Sequence, residues 1–213
     1  MEWKSILVPT DFSDSSRAAV PHALEIARRF EADVTLLHVR TLFADDPNRP
    51  EFQFLDESRY ITALDRQMED FCDDFTRNHP LRTEIIREVS APEGILNFVE
   101  ERKIDLVVMG THGRSGLAHF FMGSAAEKVV RYAACPVLTV NDRREEYRDR
   151  PKYEKILAAY DFSVHSQQAA RRARELADRF DASFIVLHVI DQEVHPAFLQ
   201  QWQISVEQDL DEL

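Results

Sequence analysis

The chain is poor in several things. It has five glycines and two cysteines in 213 residues. No apolar run approaches the ~18–20 residues that span a bilayer, so a membrane-embedded helix is not expected. Lys and Arg number 26 against 38 Asp and Glu, a formal net charge of −12. That balance lacks the basic face needed for sequence-independent attraction to nucleic acid or anionic lipid, although a local pocket for a small anion is compatible with it. Cys72 and Cys135 form no CxxC pair. They therefore read as two reduced structural thiols, neither a zinc site nor a disulfide scaffold. The opening MEWKSILVPTDF has no basic stretch followed by an apolar core and a small-residue cleavage site, so it does not read as a signal peptide and the expected location is cytoplasmic.

What is present is alternation. Short apolar runs at residues 5–9, 34–39, 82–89, 105–110 and 136–140 read as strands. Helical patterns fall between them, at about 14–30, 57–78, 92–102 and 123–133. Asp14 and Ser15 are candidate N-caps for the first helix, and Pro92 suits the first turn of the third. Three strands are almost wholly apolar, as expected when helices cover both faces of a parallel sheet. The prolines and aspartates of TLFADDPNRPEFQF mark a long excursion after the second strand, either a cover for a site or a plain surface loop.

The charged stretch 141–152, NDRREEYRDRPK, reads as a linker between domain 1–140 and the remaining residues 153–213. Residues 3–40 align without a gap to 153–190 at a constant offset of 150. Ile6, Leu7, Asp11, Phe12, Ser13, Ala27, Phe30, Leu37, His38 and Val39 all recur. This is an internal duplication of one supersecondary unit. The second copy, 153–213, has the start of a second helix but nothing matching residues 82–140. Two strands and two helices bury little apolar surface, so the half-copy is expected to pack on something else.

Four of the five glycines, Gly110, Gly113, Gly116 and Gly123, fall in the segment GTHGRSGLAHFFMGS, between a strand and a helix. Glycine permits close backbone approach, and the next helix offers unpaired N–H groups to an anion. Ser124 and Arg114 can add hydrogen bonds to a phosphate. The bland alternative is a plain cap with a solvated arginine. Asp11 ends the first strand in VPTDFS, where ligands of open parallel sheets bind. It suits ribose hydroxyls or an ion, or else an Asx-turn. No GxxxxGK[ST] occurs and no GxGxxG follows the first strand, which disfavours a P-loop and a common dinucleotide fold. His38 reads as structural; His112 and His119 lie in the glycine segment without carboxylates at metal-ligand spacing.

The segment from Gly110 through Gly113 to Gly123–Ser124 has the spacing G-x2-G-x9-G-[S/T]. With ILVPTDFS, LLHV and CPVLTV, it resembles the universal stress protein family, in its ATP-binding branch. The resemblance covers 3–140 fully and 153–213 partially. It implies an open five-stranded parallel sheet in order 3-2-1-4-5 and one ATP site, often with Mg²⁺ or Mn²⁺. By position, Pro9, Thr10, Asp11 and Val39 would flank adenine and ribose. Met109, Gly110, His112, Gly113, Arg114, Gly123, Ser124 and Ala125 would follow the ribose and phosphates. It further implies a homo-oligomer, commonly a dimer through the last strand. The function expected is a nucleotide-regulated stress-response protein. The alternatives are slow ATP hydrolysis or phosphoryl transfer, with Asp11 or His112 positioning a metal or water, and an assembly or chaperone-like module.

Overall fold

The computed structural model describes residues 2–41, 57–73, 75, 80–111, 122–141 and 151–189. The expected excursion 41–54 beyond Thr41, most of the glycine segment, most of the charged linker and the helix start expected after residue 191 lie outside them. The chain divides into two compact units, one of Glu2–Pro151 and one containing Lys152–Leu213.

In the first unit the elements run β1 (Ser5–Pro9), α1 (Asp14–Phe30), β2 (Asp33–Thr41), α2 (Glu57–Asp73), β3 (Leu81–Glu88), α3 (Ala91–Arg102), β4 (Leu106–Gly110), α4 (Ser124–Tyr132) and β5 (Val137–Val140). All strand pairs are parallel, in the order β3-β2-β1-β4-β5. The alternation of the sequence implies parallel strands, and the order is the one that the family resemblance implies. β1 is central because Ile6, Leu7 and Val8 are fully buried and suit cover on both faces. On one face Leu7, Leu37, Val39, Val107 and Met109 pack with Ile95, Phe98 and Val99 of α3 and with Ala126 and Val129 of α4. α1 and α2 meet each other through Arg17, whose guanidinium lies 4.4 Å from the Phe71 ring centre.

The cap of α1 differs from the expectation of Asp14 or Ser15. It is Ser13, whose backbone is extended (φ −76°, ψ 162°) and whose hydroxyl accepts from Ser16 N–H at 3.2 Å. Asp14 instead occupies the first helical position, where its charge complements the helix dipole. Pro92 does stand in the first turn of α3. α2 ends at Asp73, short of the expected 78, and Phe75 lies in a turn closed by its N–H to the Cys72 carbonyl at 2.8 Å. The scarcity of glycine has a visible consequence. Glu31 and Lys103 hold the left-handed conformation that ends α1 and α3 (φ 54° and 50°), a place glycine ordinarily takes.

The second unit repeats β1–α1–β2 as β6 (Lys155–Ala159), α5 (Val164–Phe180) and β7 (Ser183–Leu187). Even the register is kept: Ser5 pairs with Asp33, and Lys155 with Ser183. Trp3 packs against Phe30 with ring centres 4.8 Å apart, and Tyr153 meets Phe180 edge-on at 4.7 Å. One face of this two-stranded sheet packs against α5 through Ala158, Tyr160 and Phe184. The other exposes Leu157 by 54%, Ile185 by 40%, Leu187 by 47% and Val189 by 79%.

Candidate nucleotide-binding cleft

The strand order turns back at β1, whose neighbours β2 and β4 lead to opposite edges of the sheet. Crossovers diverge there, leaving a crevice beyond the carboxyl ends of the strands. A cavity of about 200 Å³ lies at that place. A cavity of that size admits an organic ring.

Three strand ends and three helices build its wall. β1 and the turn after it supply Pro9, Thr10 and Asp11; β2 supplies Leu37, His38 and Val39; β4 and the residue after it supply Met109, Gly110 and Thr111. Ser16 comes from α1, Ala91 and Ile95 from α3, and Gly123, Ser124, Ala125 and Ala126 from the start of α4. Nine of the expected residues are thus brought together: Pro9, Thr10, Asp11, Val39, Met109, Gly110, Gly123, Ser124 and Ala125. His112, Gly113 and Arg114 lie outside the described residues. Sequence reasoning missed Ser16, Leu37, Ala91, Ile95, Thr111 and Ala126, and it read His38 as structural only. Ala91 and Ile95 sit on a helix that comes after the outermost strand, so only the crossover from β3 to β4 brings them over the cleft.

Gly110 is required by close approach. A Cβ there would collide with the Ser15 carbonyl oxygen, closer than any side chain tolerates. The first turn of α1 can therefore press against the end of β4. The two ends of the glycine segment also meet, with Gly123 N–H donating to the Thr111 carbonyl at 2.7 Å. α4 then starts without a side-chain cap, whereas Ser13, Ser90 and Ser163 cap α1, α3 and α5. The start of α4, with the positive end of the helix dipole, thus lines the cleft through Gly123, Ser124 and Ala125.

On the opposite wall, Asp11 forms an Asx-turn. Its Oδ1 accepts from Ser13 N–H at 3.1 Å and from Ser13 Oγ at 2.5 Å. A structural and a ligand-facing role for Asp11 are therefore compatible, since the carboxylate both closes the turn and lines the cleft. Thr10 is buried, its hydroxyl 3.0 Å from Ser16 Oγ and accepting from Phe12 N–H at 3.0 Å. Among the described residues no group of three or more His, Cys, Asp or Glu converges as a metal cage. Cys72 and Cys135 are free thiols, and burial raises the pKa of each, as befits structural groups.

Fold and cleft together define a doubly wound α/β protein with an anion-compatible crevice at its topological switch point. The chain belongs to the universal stress protein family, whose family model matches residues 2–141 and again 152–213. It is 34% identical over 152 residues to universal stress protein MJ0531 of Methanocaldococcus jannaschii, covering 68% of this chain and 85% of that protein. The solved structure of MJ0577, from the same organism, is 25% identical with a TM-score of 0.56 and covers 68% of this chain and 100% of its own. A universal stress protein of Archaeoglobus fulgidus shares the fold over 98% of this chain and 74% of its own, with TM-score 0.68 and 18% identity.

Proposed function

We propose that the first unit binds ATP as a regulatory ligand. The observation that carries this reading is the pairing, across one cleft, of an Asx-turn carboxylate at Asp11 with a helix start that has no side-chain cap at Gly123. Base and ribose lie between the ends of β1 and β2, against Val39, Ile95 and Met109. The phosphates lie at the start of α4, reached by the N–H groups of Ser124 and Ala125 and by the Ser124 hydroxyl, with His112, Gly113 and Arg114 contributing from the glycine segment. A bound Mg²⁺ or Mn²⁺ would neutralise the charge of the phosphates, and the Ser124 hydroxyl at the cleft could help hold it.

Calorimetric titration of the full chain with ATP tests the reading, with Ser124→Asp as the variant. A carboxylate at the first position of α4 complements the helix dipole, about 0.3–1 kcal/mol in favour of the fold. It repels a phosphate at the same place. The expected result is unchanged or raised thermal stability together with at least roughly tenfold weaker ATP binding, since a like charge there opposes the anion by more than ~1.4 kcal/mol. Wild-type affinity in that variant would remove the phosphate assignment.

Homo-oligomeric assembly is a second reading, and the apolar face of β6–β7 favours it. Light scattering on the full chain and on Leu187→Asp tests it. A mass that falls on substitution supports assembly through this face, and identical monomeric masses remove it.

A further inference from the structure

His38 is buried at the cleft, and the nucleotide reading gives it no task of its own. Its Nδ1 lies 2.9 Å from the Thr10 carbonyl oxygen. A carbonyl oxygen only accepts, so Nδ1 carries the proton and donates. The imidazole also lies against Phe12, with ring centres 4.5 Å apart. Phe12 holds a left-handed backbone, φ 65°, a strained place for a bulky side chain that persists only when its surroundings over-determine it. Its other fixings are its own N–H to Thr10 Oγ1 and an edge contact to Phe71 at 5.7 Å. That strained turn places Thr10 and Asp11 on the cleft wall.

The second unit repeats the arrangement. His188 Nδ1 is 2.7 Å from the Tyr160 carbonyl oxygen, Phe162 has φ 64°, and the two rings are 4.8 Å apart. Ser163 N–H again donates to the aspartate, Asp161 Oδ1, at 3.0 Å. The clip is thus a device of the β–α–β unit, and in the first unit the ligand wall is built on it.

We propose that His38 is a positioning residue for the nucleotide site: its Nδ1–H bond to Thr10, more than its ring, holds the strained turn that presents Thr10 and Asp11 to the ligand. The inference rests on the nucleotide reading of the cleft. The test compares full-length wild type with His38→Asn, which keeps a donor at nearly the same place, and with His38→Phe, which keeps only the ring. His188→Phe is the control. Two readouts are taken, the ATP dissociation constant and hydrogen exchange at the Phe12 and Ser13 amides without nucleotide. Loss of one such bond corresponds to roughly tenfold. His38→Phe is expected to weaken ATP binding and accelerate exchange by about that factor, His38→Asn to restore most of both, and His188→Phe to leave ATP affinity unchanged. A phenylalanine variant equal to wild type in both readouts, or an asparagine variant as defective as phenylalanine, overturns the proposal. If His38→Phe does not fold, His38→Gln, whose donor sits one bond farther out, takes its place. If wild type binds no ATP, the nucleotide reading fails, and the exchange comparison still decides whether the histidine holds the turn.

Discussion

Thr10 and Tyr160 stand at the same place in two copies of one β–α–β unit, and the difference between them shows what the unit does by itself. In the first copy the small Thr10 bonds Ser16 at the edge of a cavity. In the second, Tyr160 is buried against Ala158, Ala170 and Phe162 and helps fill the half-copy's own core. The turn, the serine cap, the histidine bond and the strand register are alike in both. Local interactions therefore suffice to specify this unit. Cover on its second face is supplied by α3 and α4, and among the described residues only the first copy has such helices.

The sharpest test of that contrast is a matched pair. Leu7 is fully buried, while its counterpart Leu157 is 54% exposed. Leu7→Ala should cost about 2–5 kcal/mol in denaturant unfolding, and Leu157→Ala much less than half of that. Equal losses would mean that Leu157 is covered in solution.

A smaller effect is expected from exchanging the two residues that differ. Thr10→Tyr overfills the site beside Ser16 and should cost about 1–3 kcal/mol, with ATP binding lost in calorimetry. Retained ATP binding would separate the cleft from the position of Thr10.

Smaller still are the left-handed helix ends. Glu31→Gly and Asp181→Gly relieve the same conformation, φ 54° and 55°, in the two copies. Each should gain up to about 1 kcal/mol, offset by the greater chain entropy of glycine, and the two changes should agree. Thermal melting of both variants measures this, and opposite signs would break the equivalence of the copies.

The smallest effect concerns Asp161. Side-chain hydrogen bonds from Ser163 and Ser166, with the Ser163 backbone, lower its pKa to about 2. A depressed carboxylate adds stability above its unfolded value, about 3.9, and loses it as pH falls through the folded value. NMR titration should place its midpoint near 2, with the cap of α5 loosening only below the ordinary carboxylate range. A midpoint near the unfolded value would show that the Asx-turn is not held in solution.

Much of this architecture is legible in the sequence because its causes are local. Strand–helix alternation, the apolar centre of β1 and Pro92 in the first turn of α3 depend on patterns within a few residues, and the repeat at offset 150 shows by direct alignment. The cap of α1 stands one or two positions before the expected residue. Ser13, Asp14 and Ser15 are all capping residue types, and only the extended backbone at Ser13 distinguishes them. Ala91 and Ile95 carry no chemical signature, and His38 looks from the sequence like any strand histidine.

By itself the sequence determined the β–α–β unit, twice, since periodicity and short-range hydrogen bonds specify it wherever it occurs. It also determined that glycine would gather at residues 110–123. Tertiary structure decided which residues of the first unit line the cleft. The cavity needs strand ends, a crossover helix and a helix start brought together from residues 9 to 126, and that convergence depends on the parallel crossovers after β3 and β4.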